Sequence, residues 1–125
     1  MRVVDAGVVV ELVANDLDPL LLGDEEIVAP HLIDSEVTNV LRRLVRLGDL
    51  TGEQGASALE GFTRLALTRY PADWLRLRMW ELRNNLSAYD ASYVALAEMV
   101  GATSLLTTDS RLATAPGIRC HIEVL

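Results

Sequence analysis

The chain contains no lysine: all eleven of its basic residues are arginine. This excludes chemistries that need an ammonium group. Among them are a P-loop nucleotide site, Schiff-base catalysis, and the lysine-dependent aspartate pockets of receiver domains and haloacid-dehalogenase-like phosphatases. Cysteine is nearly as scarce. The single Cys120 can form no internal disulfide and reads as a small core residue of a cytosolic protein rather than as a nucleophile. One Phe, two Trp and three Tyr leave little for stacking on unpaired bases. No apolar run is long enough to cross a membrane. The start, Met1-Arg2-Val3-Val4-Asp5, lacks the pattern of a signal peptide, because the acid interrupts the apolar run at once.

What is present is apolar and acidic. A length of 125 residues suits one domain, expected to span 1–125, and a hydrophobic share of 50% is enough to build a core. The net charge of −7 repels polyphosphate unless cations intervene. An acidic site in a chain without lysine must be balanced by metal ions, arginine or a partner.

The pattern along the chain alternates between strand and helix. Strands are predicted at Arg2-Val3-Val4, Ile27-Val28-Ala29, Leu67 to Tyr70, Ser104 to Thr107 and His121 to Val124. Helices are predicted from Ala6 to Ala14, from Pro30 to just before Gly48, from a Thr51–Gln54 capping box to about Ala66, from Ala72 to Asn85, and from a Ser87–Asp90 capping box to Val100. A helical turn is expected from Asp109 to Ala113. Such alternation predicts a three-layer α/β/α fold around a parallel sheet.

Four acids occupy informative places in that pattern. Asp5 and Asp109 each follow a strand, and ligands of open parallel sheets gather at the carboxyl ends of strands. Each can equally cap the helical segment after it. Asp90 shares a helical face with Val94 and Ala97, which points its carboxylate inward. Glu36 borders the apolar stripe Ile33, Val37, Val40, Leu44 and Leu47, a position that also suits a solvated surface acid. Asp34, on the other border, reads as a first-turn acid favoured by the helix dipole. Carboxylates gathered in one pocket repel one another. Mg²⁺ or Mn²⁺, hard cations that take oxygen ligands, are the natural compensation and can activate water for phosphodiester cleavage.

These residues carry a resemblance. The segments Val3-Val4-Asp5-Ala6, Ala29 to Val37, Leu86 to Glu98 and Leu105 to Leu112 appear in the order found in PIN-domain ribonucleases, specifically the VapC toxins of bacterial VapBC toxin–antitoxin pairs, and together span nearly the whole chain. The resemblance implies a PIN-like α/β/α domain and Mg²⁺-dependent cleavage of RNA. It implies that Asp5, Glu36, Asp90 and Asp109 form the acidic quartet, with Asp5, Asp90 and Asp109 as metal ligands. Thr107 matches a hydroxyl that the family often places beside the site. One position departs from the pattern: many relatives carry Ser or Thr where this chain has Gly7.

Family membership would also imply a VapB-type antitoxin that covers the site and often places a basic residue near the acids. Homodimers or toxin–antitoxin hetero-oligomers are the expected assemblies. Trp74, Leu77 and Trp80 form a second apolar stripe, which is either an interface or a second core face. Arg43, two turns beyond Glu36, is the candidate phosphate contact, whereas Arg42 and Arg46 suit the carboxyl end of the helix dipole. With little general attraction to RNA, selectivity is expected to come from shape, as in a tRNA or ribosomal RNA loop. The alternative is a PIN-like module that acts only through protein interaction.

Overall fold

The computed structural model describes residues 1–125. Five short strands form the sheet: β1 (Arg2–Val4), β2 (Ile27–Pro30), β3 (Thr68–Tyr70), β4 (Ser104–Thr107) and β5 (Ile122–Val124). Every pairing is parallel, and the spatial order is β3-β2-β1-β4-β5. The central strand β1 sets Val3 opposite Val28 on one side and Leu105 on the other. All three side chains are fully buried. Helices cover both faces, so the inner strands are continuous apolar runs rather than alternating ones.

The five helices are α1 (Ala6–Ala14), α2 (Leu32–Arg46), α3 (Gly52–Arg64), α4 (Arg76–Glu81) and α5 (Ala88–Val100). Helices α1, α2 and α3 pack on one another, and α4 packs on α5. The first two crossovers move the chain outward from β1 to β3. The third returns it to the far side of β1, which places its helices on the opposite face of the sheet. The three-layer α/β/α arrangement expected from the sequence is therefore present. The reversal also creates a switch point between β1 and β4, the usual site of a ligand crevice.

Three expectations about local structure are corrected. Pro30 ends β2 instead of opening the next helix. Its missing N–H costs nothing, because pairing with β1 ends at Val28, while the β3 side is carried by His31 N–H donating to Tyr70 O at 3.0 Å. The helix expected over 72–85 breaks into a 3-10 turn (Ala72–Trp74), a bend at Leu75 and the short α4. Buried Leu75 and Leu82 pin both ends of α4, and Asn84-Asn85 favours a turn over a further helical repeat. On α2 the buried stripe is Ile33, Val37 and Leu41, while Leu47 is 67% exposed beyond the helix end.

The capping box on α3 is fully formed: Thr51 Oγ1 accepts from Gln54 N–H at 3.0 Å, and Gln54 Oε1 accepts from Thr51 N–H at 2.8 Å. Cys120 is half-buried, and burial pushes its thiol up to about 11, which suits a packing role and not a nucleophile. No helix is long and apolar enough to cross a membrane.

Candidate active site

The turn after β1 delivers Asp5. Its carboxylate caps α1, with Oδ1 accepting from Val8 N–H at 2.9 Å. The capping role does not exhaust it, since Oδ2 accepts a short hydrogen bond from Thr107 Oγ1 at the end of β4. That hydroxyl, fully buried, also accepts from Asp109 N–H at 3.0 Å. Thr107 thus ties the two strand-end acids together across the switch point, one hydrogen bond to each residue.

Asp90 arrives from the other layer, on the first turn of α5. Ser87 caps this helix, its Oγ accepting from Asp90 N–H at 3.1 Å. The reciprocal half of the expected capping box is missing: the Asp90 carboxylate makes no hydrogen bond to any residue. Asp90 is also exposed rather than directed into the core, because the first turn of α5 projects past the sheet. Its carboxylate lines a cavity of about 230 Å³ together with Asp109, Arg111, Ser87 and Asn85.

Glu36 lies on α2, half-buried, where its Oε1 accepts from Tyr93 Oη at 2.7 Å. Tyr93 is a buried residue of α5, so this bond crosses from one helical layer to the other. Sequence reasoning missed Tyr93. The available signal was its place three residues after Asp90, one turn along the same helical face.

Charge links the four acids. Burial raises the Asp5 carboxyl above the usual range; hydrogen bonds from Thr107 and Val8 oppose this, and the charges of Asp90 and Asp109 add to it. Burial likewise raises Glu36, with the charges of Asp90 and Asp5 contributing. The Tyr93 hydroxyl is pushed far up by burial and then by its bond to Glu36. The structure therefore brings Asp5, Glu36, Asp90 and Asp109 to one end of the sheet, within range of one another's fields.

Asp109 differs from the rest. Its Oδ1 accepts from Arg111 N–H at 3.0 Å and Nε at 3.1 Å, and its Oδ2 from Nη2 at 3.0 Å. This guanidinium holds the Asp109 carboxyl below the usual range. Arg111 is the one cation lining the acidic cavity, and sequence reading did not single it out. The other sequence candidates lie outside. Asp34 forms a bidentate pair with Arg69 of β3, at 2.7 and 2.8 Å, which explains its position without invoking the site. Arg43 is exposed and lines none of the cavities; seven residues beyond Glu36, it stands about 10 Å further along α2.

The oxygen donors around the cavity are the Asp90 and Asp109 carboxylates, the Ser87 hydroxyl and the Asn85 amide, the ligand type preferred by Mg²⁺ and Mn²⁺. An unpartnered carboxylate on Asp90 and raised carboxyls at Asp5 and Glu36 are what a hard cation would relieve. No three acidic, histidine or cysteine side chains stand close enough to make a ready-made cage. The arrangement suits an open site that keeps waters on the ion.

Comparison with known proteins identifies the family. Residues 2–118 match the PIN domain family. Ribonuclease VapC9 of Mycobacterium tuberculosis is 45% identical over 126 residues, covering 100% of this chain and 98% of that protein. Among solved structures, M. tuberculosis VapC20, described as a sarcin-ricin loop cleaving toxin, superposes with a TM-score of 0.70 at 14% identity, covering 95% of this chain and 97% of that one. VapBC2 from Rickettsia felis, bound to a DNA fragment from its promoter, gives 0.71 at 16% identity, covering 99% and 98%. By full-length sequence similarity, and with the fold those structures share, this chain belongs to the PIN-domain family, among its VapC ribonucleases.

Proposed function

We propose that the protein is a metal-dependent endoribonuclease toxin acting through Asp5, Glu36, Asp90 and Asp109. The observation that carries this reading is the link through Thr107 between Asp5 and Asp109 at the β1/β4 switch point, with the Asp90 carboxylate beside Asp109 and without a protein partner. Asp5, Asp90 and Asp109 would hold Mg²⁺ or Mn²⁺. Such an ion lowers the pKa of bound water and neutralises charge on the phosphate.

The remaining work falls to the chain itself. Water attacks phosphorus, a new P–O bond forms, and the P–O bond to the leaving ribose oxygen breaks, that oxygen taking a proton from solvent. Glu36 Oε2, on the carboxylate that Tyr93 fixes through Oε1, takes the proton from the attacking water. A carboxyl raised by burial is better suited to that transfer than an ordinary one. Thr107 holds Asp5 in register with the backbone of Asp109. Arg111, paired with Asp109 in the structure, is the guanidinium that would neutralise a phosphate oxygen were Asp109 to serve as a metal ligand.

The same pair supports neutralisation by an antitoxin. An arginine already occupies both oxygens of Asp109, so the cavity accepts guanidinium in place of metal charge. A cognate VapB-type antitoxin that inserts an arginine would silence the site. A structured RNA loop is the expected substrate, in keeping with the net charge of −7 and with the description of VapC20.

Digestion of total RNA with and without Mg²⁺, followed by mapping of the cut ends, tests the reading. Cleavage should require the ion, fall at one or a few loop positions, and vanish in Asp90→Asn while the fold persists. Cutting by Asp90→Asn at the wild-type rate would reduce Asp90 to a first-turn helix residue.

A further inference from the structure

Five of the eleven arginines are already committed. Arg2, Arg64, Arg69, Arg78 and Arg111 pair with carboxylates. Of those without an ion pair, Arg42, Arg43 and Arg46 lie on the last part of α2, and Arg119 lines a separate cavity beside Glu98. Two remain, Arg76 and Arg83, and both flank Trp80 in a groove of about 430 Å³ along α4. The Arg83 guanidinium carbon stacks 4.5 Å from the centre of the Trp80 ring, and the indole is 67% exposed. The exposure of Trp74, Leu77 and Trp80 shows that this stripe is not a second core face.

The groove adjoins the acidic cavity: Leu86 and Ser87 line both. We propose that it is the subsite for the unpaired RNA strand that flanks the scissile phosphate. One base stacks on Trp80, and the neighbouring phosphates lie against Arg76 and Arg83. The assignment rests on the acidic cavity being the cleavage site, because the shared wall of Leu86 and Ser87 sets the strand beside it.

Charge selects this occupant over a second copy of the chain. A two-fold contact pairs the patch with itself, and the lining of the groove offers Arg76 and Arg83 no acid on the other copy. Phosphates supply the opposite charge, and an exposed indole offers a face to any base.

The test uses the full chain carrying Trp74→Phe, so that Trp80 is the only indole, and Asp90→Asn, so that RNA is not cut. The probe is a mixed-sequence, 12-nucleotide single-stranded RNA titrated in Mg²⁺ buffer, with Trp80 emission as the readout. Binding should quench Trp80. Trp80→Ala, followed by fluorescence anisotropy of an end-labelled probe, should weaken binding about tenfold, and Trp80→Phe should restore most of it. Replacing Arg76 and Arg83 by Ala should flatten the salt dependence by ~0.7 in log–log slope for each phosphate that is no longer neutralised.

Hydrolysis of bis(p-nitrophenyl) phosphate, a diester too small to need the groove, should be unchanged by Trp80→Ala in the otherwise wild-type enzyme. If the wild type cuts neither this diester nor RNA, the cleavage reading fails, and the groove still stands or falls on the binding titration. Undiminished RNA affinity in both the Trp80 and the arginine variants overturns the proposal. So does a wild-type dimer that Trp80→Ala dissociates with no change in RNA binding, which would give the groove to a second copy.

Discussion

Glu36 shows how a site residue works against the fold that holds it. Its carboxyl is raised chiefly by burial and then by the charges of Asp90 and Asp5, so at neutral pH the folded state carries an ionised group in a place that favours the neutral one. Folded protein then binds more protons than unfolded protein between the two pKa values. The contribution of Glu36 to stability therefore rises as pH falls through its raised folded value. Glu36→Gln keeps the acceptor for Tyr93 and removes the charge. In metal-free protein at pH 7 it should raise the melting temperature, while abolishing cleavage, a stability–activity exchange common at active sites. The gain should disappear in melts run below the raised Glu36 pKa, where the wild-type group is itself neutral. A gain that persists there would assign the effect to something other than charge. Gly7 presents a different residue-scale constraint. A Cβ at this position would collide with Thr108 Oγ1 and stand 3.4 Å from Asp5 Oδ1. The Thr108 hydroxyl occupies the space into which a side chain at position 7 would project. Gly7→Ser should destabilise the wild type by about 1 kcal/mol and cost much less in a Thr108→Ala background, a coupling that a double-mutant cycle of denaturant melts can read.

At the scale of elements, local chemistry explains both what the sequence revealed and what it hid. Thr51 with Gln54 and Ser87 with Asp90 announced the starts of α3 and α5, because a cap is a short-range interaction written within four residues. Asp5 and Asp109 were legible as strand-end acids for the same reason. The break in α4 was not, since Leu75, Met79 and Leu82 recur at helical spacing whether the helix is one piece or a bend followed by a short turn. Nor was the exposure of Asp90, which depends on how far α5 projects past a sheet assembled from distant strands. Tyr93 and Arg111 were missed because their partners, Glu36 and the acidic cavity, come together only in three dimensions. The contact between α2 and α3 shows an element-scale requirement of the same kind. Gly55 is buried on α3, and a Cβ there would lie 2.6 Å from Val45 Cγ2. Helix propensity favours replacement of this glycine by ~1 kcal/mol. The stiff Val45 side chain cannot retreat cheaply, and a larger residue must part the helices. Gly55→Leu should lower stability by about 1–3 kcal/mol in urea melts and leave cleavage per folded molecule unchanged, since the contact lies away from the acids.

The whole molecule carries a net charge of −7, and four of its acids lie at one end of the sheet, where Arg111 is the one cation in the cavity lined by Asp90 and Asp109. Divalent metal should therefore be a stabiliser as well as a cofactor. A ligand that binds only the folded state adds about 2.7 kcal/mol at 100 times its Kd, which corresponds to roughly ten degrees in melting temperature for a domain of this size. Wild-type protein should melt higher in Mg²⁺ or Mn²⁺ than in chelator, and Asp90→Asn should lose most of that difference. The dependence on pH follows from the directions of the shifts. Asp5 and Glu36 are raised and protonate first as pH falls, which removes ligand charge and relieves the repulsion that metal would otherwise offset. Asp34 and Asp109 are lowered by Arg69 and Arg111, so the stability they lend persists until pH falls through their own, lower values. Between those limits lies a window in which the melting curves with metal and with chelator should converge while the fold remains intact. Calorimetric scans across that window, in both buffers, make the comparison directly. A metal-dependent shift of constant size at every pH, or one undiminished in Asp90→Asn, would place the ion away from the four acids and leave their repulsion to be balanced by Arg111 or a partner alone.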